Sequence, residues 1–284
     1  MTALLPPERP GHAPPADLLP AREGLSAAVA RGAWLTNPPP VEDWIDGLRG
    51  LRWRPGGEPV GTVVHFHGGG YRLGAPEMEG PFAQRLALAC GVEVIVPQYG
   101  LAPERPFPGA LHDGMKLVRA LAGAGPLFLS GGSAGGGLAA ALAGPARGAG
   151  IALAGMLLHS PWLDLTITAD SYAANADSDA LFSRASAEAA AGLYLQGHDP
   201  RDPLASPLFA DPADFPPLLV TVGSGEVLLD DARAFAARLG PGARLLVAEG
   251  MEHVAVTRAM DATGAGEVFA ASADFIRARL ADHS

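Results

Sequence analysis

From Gly61 onward, short apolar runs alternate with longer stretches of helical character, and this alternation restricts the fold more than any other feature of the chain. Strands are expected at 62–66, 92–96, 127–129, 152–158, 218–222 and 245–247. Helices are expected near 81–89, 110–122, 230–239 and 267–280, with helix-forming residues also at 138–142. A strand followed by a helix, repeated, builds a mainly parallel central sheet with helices on both faces, an α/β architecture. Two stretches stand outside the pattern. Residues 1–45 are proline-rich with one or two short helical segments and read as an N-terminal cap segment. Residues 170–205 are too long for an ordinary loop and carry no convincing strand, so they read as a cap insertion in a body spanning 46–284.

Composition narrows the function classes. The chain has 284 residues, 48% of them hydrophobic and 18% charged, which suits one large globular domain. No apolar run approaches the roughly 18 residues of a membrane span. The start, "MTALLPPERPGHAPP", lacks a basic region followed by a long apolar one, so a cytoplasmic location is expected. A net charge of −10 without a Lys/Arg cluster argues against nucleic acid or an anionic membrane as partner and for a small neutral ligand. The single cysteine, Cys90, lies in an apolar run and is read as a buried small hydrophobe.

Three strand-end sites carry reactive groups, where ligands of open α/β sheets bind. Gly131-Gly132-Ser133-Ala134-Gly135 fits G-x-S-x-G, a turn that ends a strand, exposes a serine and starts a helix. His67-Gly68-Gly69-Gly70 follows the strand ending at Phe66, and consecutive glycines let backbone N–H groups approach an oxyanion. His253 lies six residues after Val247. Glu226 lies four residues after Val222, while Asp230 and Asp231 read as charges at a helix start. The order Ser133, Glu226, His253 is nucleophile, acid, base. Asp164 is read as structural, His65 as lying on the opposite face of its strand from His67, and His159 is given no chemistry. No G-x-G-x-x-G occurs at the serine turn, which removes the dinucleotide-binding reading.

In this order, "HGGGY", "YGLAPERPFPGALHD", "GGSAGG" and "SPWLDL" make the chain resemble the bacterial hormone-sensitive-lipase-like esterases of the α/β-hydrolase superfamily, over roughly residues 61–280. The resemblance implies a capped α/β-hydrolase fold that cleaves small carboxylic esters with no metal or organic cofactor. It implies that Gly69, Gly70 and Ala134 supply oxyanion N–H groups, and it leaves room for a homodimer. Two positions depart from the family: Gly132 stands where an acidic residue is frequent, and Gly100 where an arginine is frequent. Hydrolysis of a lactone or formamide by the same residues remains an alternative. A ligand-binding protein on this fold is the other, against which the presence of His253 argues.

Overall fold

A computed structural model describes residues 5–283. Eight strands form one sheet: β1 (Val41–Ile45), β2 (Leu48–Trp53), β3 (Thr62–Phe66), β4 (Glu93–Pro97), β5 (Leu127–Gly132), β6 (Gly155–His159), β7 (Leu218–Gly223) and β8 (Ala243–Ala248). Their order is β1-β2-β4-β3-β5-β6-β7-β8. β1, β2 and β4 are paired antiparallel, and every pair from β4 to β8 is parallel. The helices of eight or more residues are α1 (Leu19–Ala30), α2 (Gly80–Cys90), α3 (Gly109–Leu121), α4 (Ala134–Ala141), α5 (Arg184–Leu195), α6 (Leu229–Leu239) and α7 (Ala265–Ala281).

The central strands are buried end to end because helices cover both faces, which is why they read as continuous apolar runs. Successive residues divide between two layers. Val64, Ile95, Leu129, Leu158 and Val220 pack with α3, α4, α5 and α6, whereas Val63, Val94, Phe128, Leu157 and Leu219 pack with α2 and α7.

The β1–β2 hairpin is absent from the sequence expectations. Its turn, Asp46-Gly47, has φ of 49° and 75°, the left-handed pair that a two-residue hairpin turn requires. The sheet thus takes in residues 41–45, which the sequence reading placed in the N-terminal segment.

Chain order in the sheet reverses at β3. The chain leaves β3 for β4 on one side and then reaches β5 on the other, so the loops after β3 and β5 diverge and open a crevice between them. The glycine loop at 67–70 follows β3, and Ser133 follows β5. The stretch between β6 and β7 contains α5 and, among the described residues, no strand.

Candidate active site

Ser133 sits between β5 and α4 with φ 53° and ψ −120°, a conformation a non-glycine residue holds only when its surroundings enforce it. The flanking glycines are what permit it. A Cβ on Gly131 would stand 2.3 Å from the carbonyl carbon of Gly135, and one on Gly135 would stand 2.0 Å from the carbonyl oxygen of Phe66. The turn is therefore pressed against its own helix and the end of β3, leaving the serine side chain as the group that projects. Its hydroxyl lies 3.0 Å from Nε2 of His253.

On the far side of the ring, His253 Nδ1 lies 2.7 Å from Oε2 of Glu226. A carboxylate offers only acceptors, so Nδ1–H donates to it and Nε2 is left to accept from the serine. The other oxygen of Glu226 accepts from Ser160 Oγ at 2.8 Å and from the Gly223 amide at 2.5 Å. Ser160 Oγ also accepts from the Val254 amide at 3.1 Å, so one hydroxyl ties the acid to the backbone beside the base. Ser160 escaped the sequence reading. Its position directly after β6, next to the serine-bearing strand, was the signal.

The other acidic candidates are elsewhere. Asp164 is buried and accepts from the amide and hydroxyl of Thr166. Asp230 accepts from the Ser171 amide and pairs with Arg233, in keeping with a helix-start charge. Asp231 departs from that expectation. It is 2% exposed, and burial, with Asp164 and Asp230 nearby, holds its carboxyl well above the usual carboxylate range. It faces the core because it follows Asp230 by one position, about 100° around the helix.

The three N–H groups read as oxyanion donors lie around the same serine. Gly69 and Gly70 have φ of 117° and 61° and line the cavity with Ser133, while Ala134 opens α4. Among the described residues none of these three amides has a protein acceptor. His67 holds the loop from below: its ring stacks on Tyr99 at 4.2 Å, and Tyr99 Oη donates to the His67 carbonyl at 2.8 Å. Burial lowers the His67 pKa despite the Gly68 carbonyl beside it.

His65 packs on Phe82 in the opposite layer, between Ser130 Oγ at 2.8 Å and Glu79 Oε2 at 3.3 Å. Burial works to raise the Glu79 pKa, but the His65 hydrogen bond and charge outweigh it and hold the carboxyl below its ordinary value. Burial, with His65 adding to it, drives the His159 pKa down to about 3, so its imidazole is neutral near pH 7. Cys90 is buried, and burial raises its thiol to about 11.

The two family departures have local causes. A Cβ on Gly132 would meet Val254 Cγ1 at 3.2 Å, so a longer residue there would press on the segment carrying His253. The space beside Gly100 is filled by Arg105, where an added Cβ would stand 2.6 Å from its side chain, and Arg105 pairs with Asp113.

The cavity around Ser133 has a volume of about 270 Å³, and Trp34, Met78, Leu181 and Phe182 supply apolar wall. Trp44 lies exposed on β1 and lines a separate cleft with His67 and Arg105. Phe182 lies parallel to the His253 ring at 5.6 Å and edge-on to Trp162. Asp179, Glu226 and His253 each offer an atom within 4.8 Å of the others; no other such group of three or more occurs among the described residues.

A strand-end serine, an imidazole and a carboxylate on a sheet of this topology define the α/β-hydrolase class. The model of the alpha/beta hydrolase fold family matches residues 63–257. A crystallised esterase of the bacterial hormone-sensitive lipase family is 32% identical, covers 94% of this chain with 93% of its own length matched, and superposes with a TM-score of 0.86. The acetyl-hydrolase of Streptomyces hygroscopicus is 40% identical over 64% of this chain and 62% of its own length. The carboxylesterase NlhH of Mycobacterium tuberculosis is 30% identical over 76% of both chains. The match thus spans less than two thirds of the acetyl-hydrolase, and likewise of an Acinetobacter venetianus esterase at 65%. The chain belongs to the α/β-hydrolase fold family and, within it, to the bacterial hormone-sensitive-lipase-like esterases.

Proposed function

We propose that this protein is a serine carboxylesterase that hydrolyses small neutral esters through an acyl-enzyme. The observation that carries the reading is the unbroken relay from Ser133 Oγ through His253 to Glu226, opening into a cavity with largely apolar walls. His253 takes the serine proton as Oγ attacks the ester carbonyl. Glu226 holds the ring in the tautomer that can accept that proton and stabilises the imidazolium that results. The oxygen of the tetrahedral intermediate turns toward the amides of Gly69, Gly70 and Ala134; one such donor is worth about 2.7–4 kcal/mol in measured hydrolases. The imidazolium then protonates the leaving alcohol. Water activated by the same histidine releases the acid and frees Ser133.

In this reading the segment before β1 and the 170–205 insertion act together as the cap. Trp34 from the first and Leu181, Phe182 and Ser186 from the second meet around the cavity, which supports a short acyl group. Among the described residues no helix is long and apolar enough to cross a membrane. A hydrolysis screen of alkanoate esters from two to twelve carbons, with lactones and formamides alongside, tests the proposal. Turnover that is highest for the shortest acyl chains and much lower for the other two classes is expected. Absent ester turnover in pure folded protein, or a preference for the longest chains, would overturn it.

A further inference from the structure

Asp179 belongs to the insertion rather than to the strand-end loops, yet its carboxylate reaches the acid and the base: it offers an oxygen within 4.8 Å of ligand atoms on both Glu226 and His253. It is 9% exposed. Three backbone amides hold it in place. Oδ1 accepts from Leu181 at 3.1 Å and Phe182 at 2.9 Å, and Oδ2 accepts from Val227, the residue after Glu226, at 3.0 Å. Phe182, fixed by this arrangement, is the ring that lies parallel to His253.

From this geometry we propose that Asp179 is a positioning residue for the hydrolytic reaction, a second carboxylate that the insertion brings to the base. It rests on the Ser133–His253–Glu226 reading. A negative charge at this distance in a buried site favours the protonated imidazole. The imidazolium that forms when Ser133 is deprotonated is thus stabilised by two carboxylates rather than one. The amides of Leu181, Phe182 and Val227 keep Asp179 in place without cancelling its charge. The remaining charged groups on the cavity wall are Arg72, Glu79 and Arg258. Glu79 is engaged by His65, Arg258 is paired with Glu252, and Arg72 is hydrogen-bonded to Ser186. The same contacts couple the insertion to catalysis, because a shift of the 179–182 segment removes both the charge and the aromatic cover from His253.

The test compares Asp179→Asn, Asp179→Ser and the charge-retaining Asp179→Glu in the full-length protein, with kcat and KM for a short-chain ester measured across pH. The two uncharged variants should lose roughly tenfold in kcat, and the acid limb of kcat/KM should move about one pH unit lower, because the neutral base becomes easier to reach. Asp179→Glu should keep the limb near its original position whatever its turnover. Since Ser retains an acceptor for the Leu181 and Phe182 amides, failure of Asn alone to fold leaves the comparison intact. In a Glu226→Gln background, where Asp179 is the one carboxylate left beside the ring, its neutralisation should cost a larger factor than in wild type. A fixed acid limb and an equal factor in both backgrounds would overturn the inference while leaving the triad in place. Full activity of Ser133→Ala would instead overturn the reading on which it rests.

Discussion

The floor and the cover of the cavity are built on different principles. The floor stands on parallel strands, buried end to end at β5 and β7, nearly so at β3 and only partly at the edge strand β8: Ser133 follows β5, the glycine loop follows β3, and Glu226 and His253 lie beyond β7 and β8. Within the cover, α5 of the insertion buries Ala187, Ala190 and Tyr194 in the core, whereas the N-terminal segment is fastened by side chains reaching backbone carbonyls. Arg22 of α1 donates to the carbonyls of Arg72 and Ala102 and pairs with Glu104, while Arg9 donates to the carbonyls at Leu195 and Gln196 that end α5. No residue of α1 is buried. Close-packed strands hold catalytic atoms to fractions of an ångström, whereas contacts on half-exposed arginines are individually weak and exchange with water. The difference assigns the bond-making groups to the floor and selection to the N-terminal part of the cover, while the insertion brings Asp179 to the base.

Substitutions should separate the two. The largest effect expected is at the nucleophile: Ser133→Ala should abolish turnover in a protein with unchanged circular dichroism, and substantial residual hydrolysis would break the division at once. Next is Glu226→Gln. In a related triad the acid-to-amide change lowers turnover by about 10⁴-fold, and a similar loss is expected here, with Asp230→Asn and Asp164→Asn within about tenfold of wild type. If one of those aspartate variants collapses while Glu226→Gln stays active, the acid is misassigned. Removing residues 1–40 is expected to lower kcat/KM by one to two orders of magnitude and to relax acyl-length selection while leaving the sheet folded; full activity with unchanged selectivity would return the N-terminal segment to a passive role.

The smallest effect concerns stability alone and lies outside the site. Because the folded-state pKa of Asp231 is raised above its unfolded value, the folded state favours its protonated form. Protein stability should fall as pH rises from the ordinary carboxylate range through the raised folded-state value. Asp231→Asn removes that penalty, so it should raise Tm at pH 7 by a few degrees, at about 2–4 °C per kcal/mol for a large domain, and change little near pH 3. Lower Tm at pH 7 would show that the carboxylate is instead stabilising.

The features legible in the sequence are those that local pattern controls. Apolar runs gave β3 its observed limits and placed the other parallel strands within three residues at each end, β5 ending three residues later than expected. That strand continues through Ser130-Gly131-Gly132 because its register against β3 and β6 persists where apolarity stops. Ser133, Glu226 and His253 were legible because each follows a strand, and such loops converge at one edge of a parallel sheet. The β1–β2 hairpin lies outside the expectations although Asp46-Gly47 is a strong turn signal, because β1 is an exposed edge strand with acidic residues at 42 and 43 and carries no apolar run. Ser160 follows a strand as they do and carried the same signal, but Asp179 could not be weighed in this way. Its importance arises from approach to Glu226 and His253 across 47 and 74 positions of chain, which composition and periodicity do not encode. Asp231 was misread because helix-start position says nothing about which side of the helix meets the core.

The account turns on a covalent bond to one serine. The direct measurement is intact-protein and peptide mass analysis after brief exposure to a serine-directed phosphonate ester, on wild type and on Ser133→Ala. The account predicts a single adduct per chain on the peptide carrying Ser133, with parallel loss of ester hydrolysis, and no adduct in the variant. Labelling at another residue, or full hydrolytic activity in quantitatively labelled protein, would contradict it.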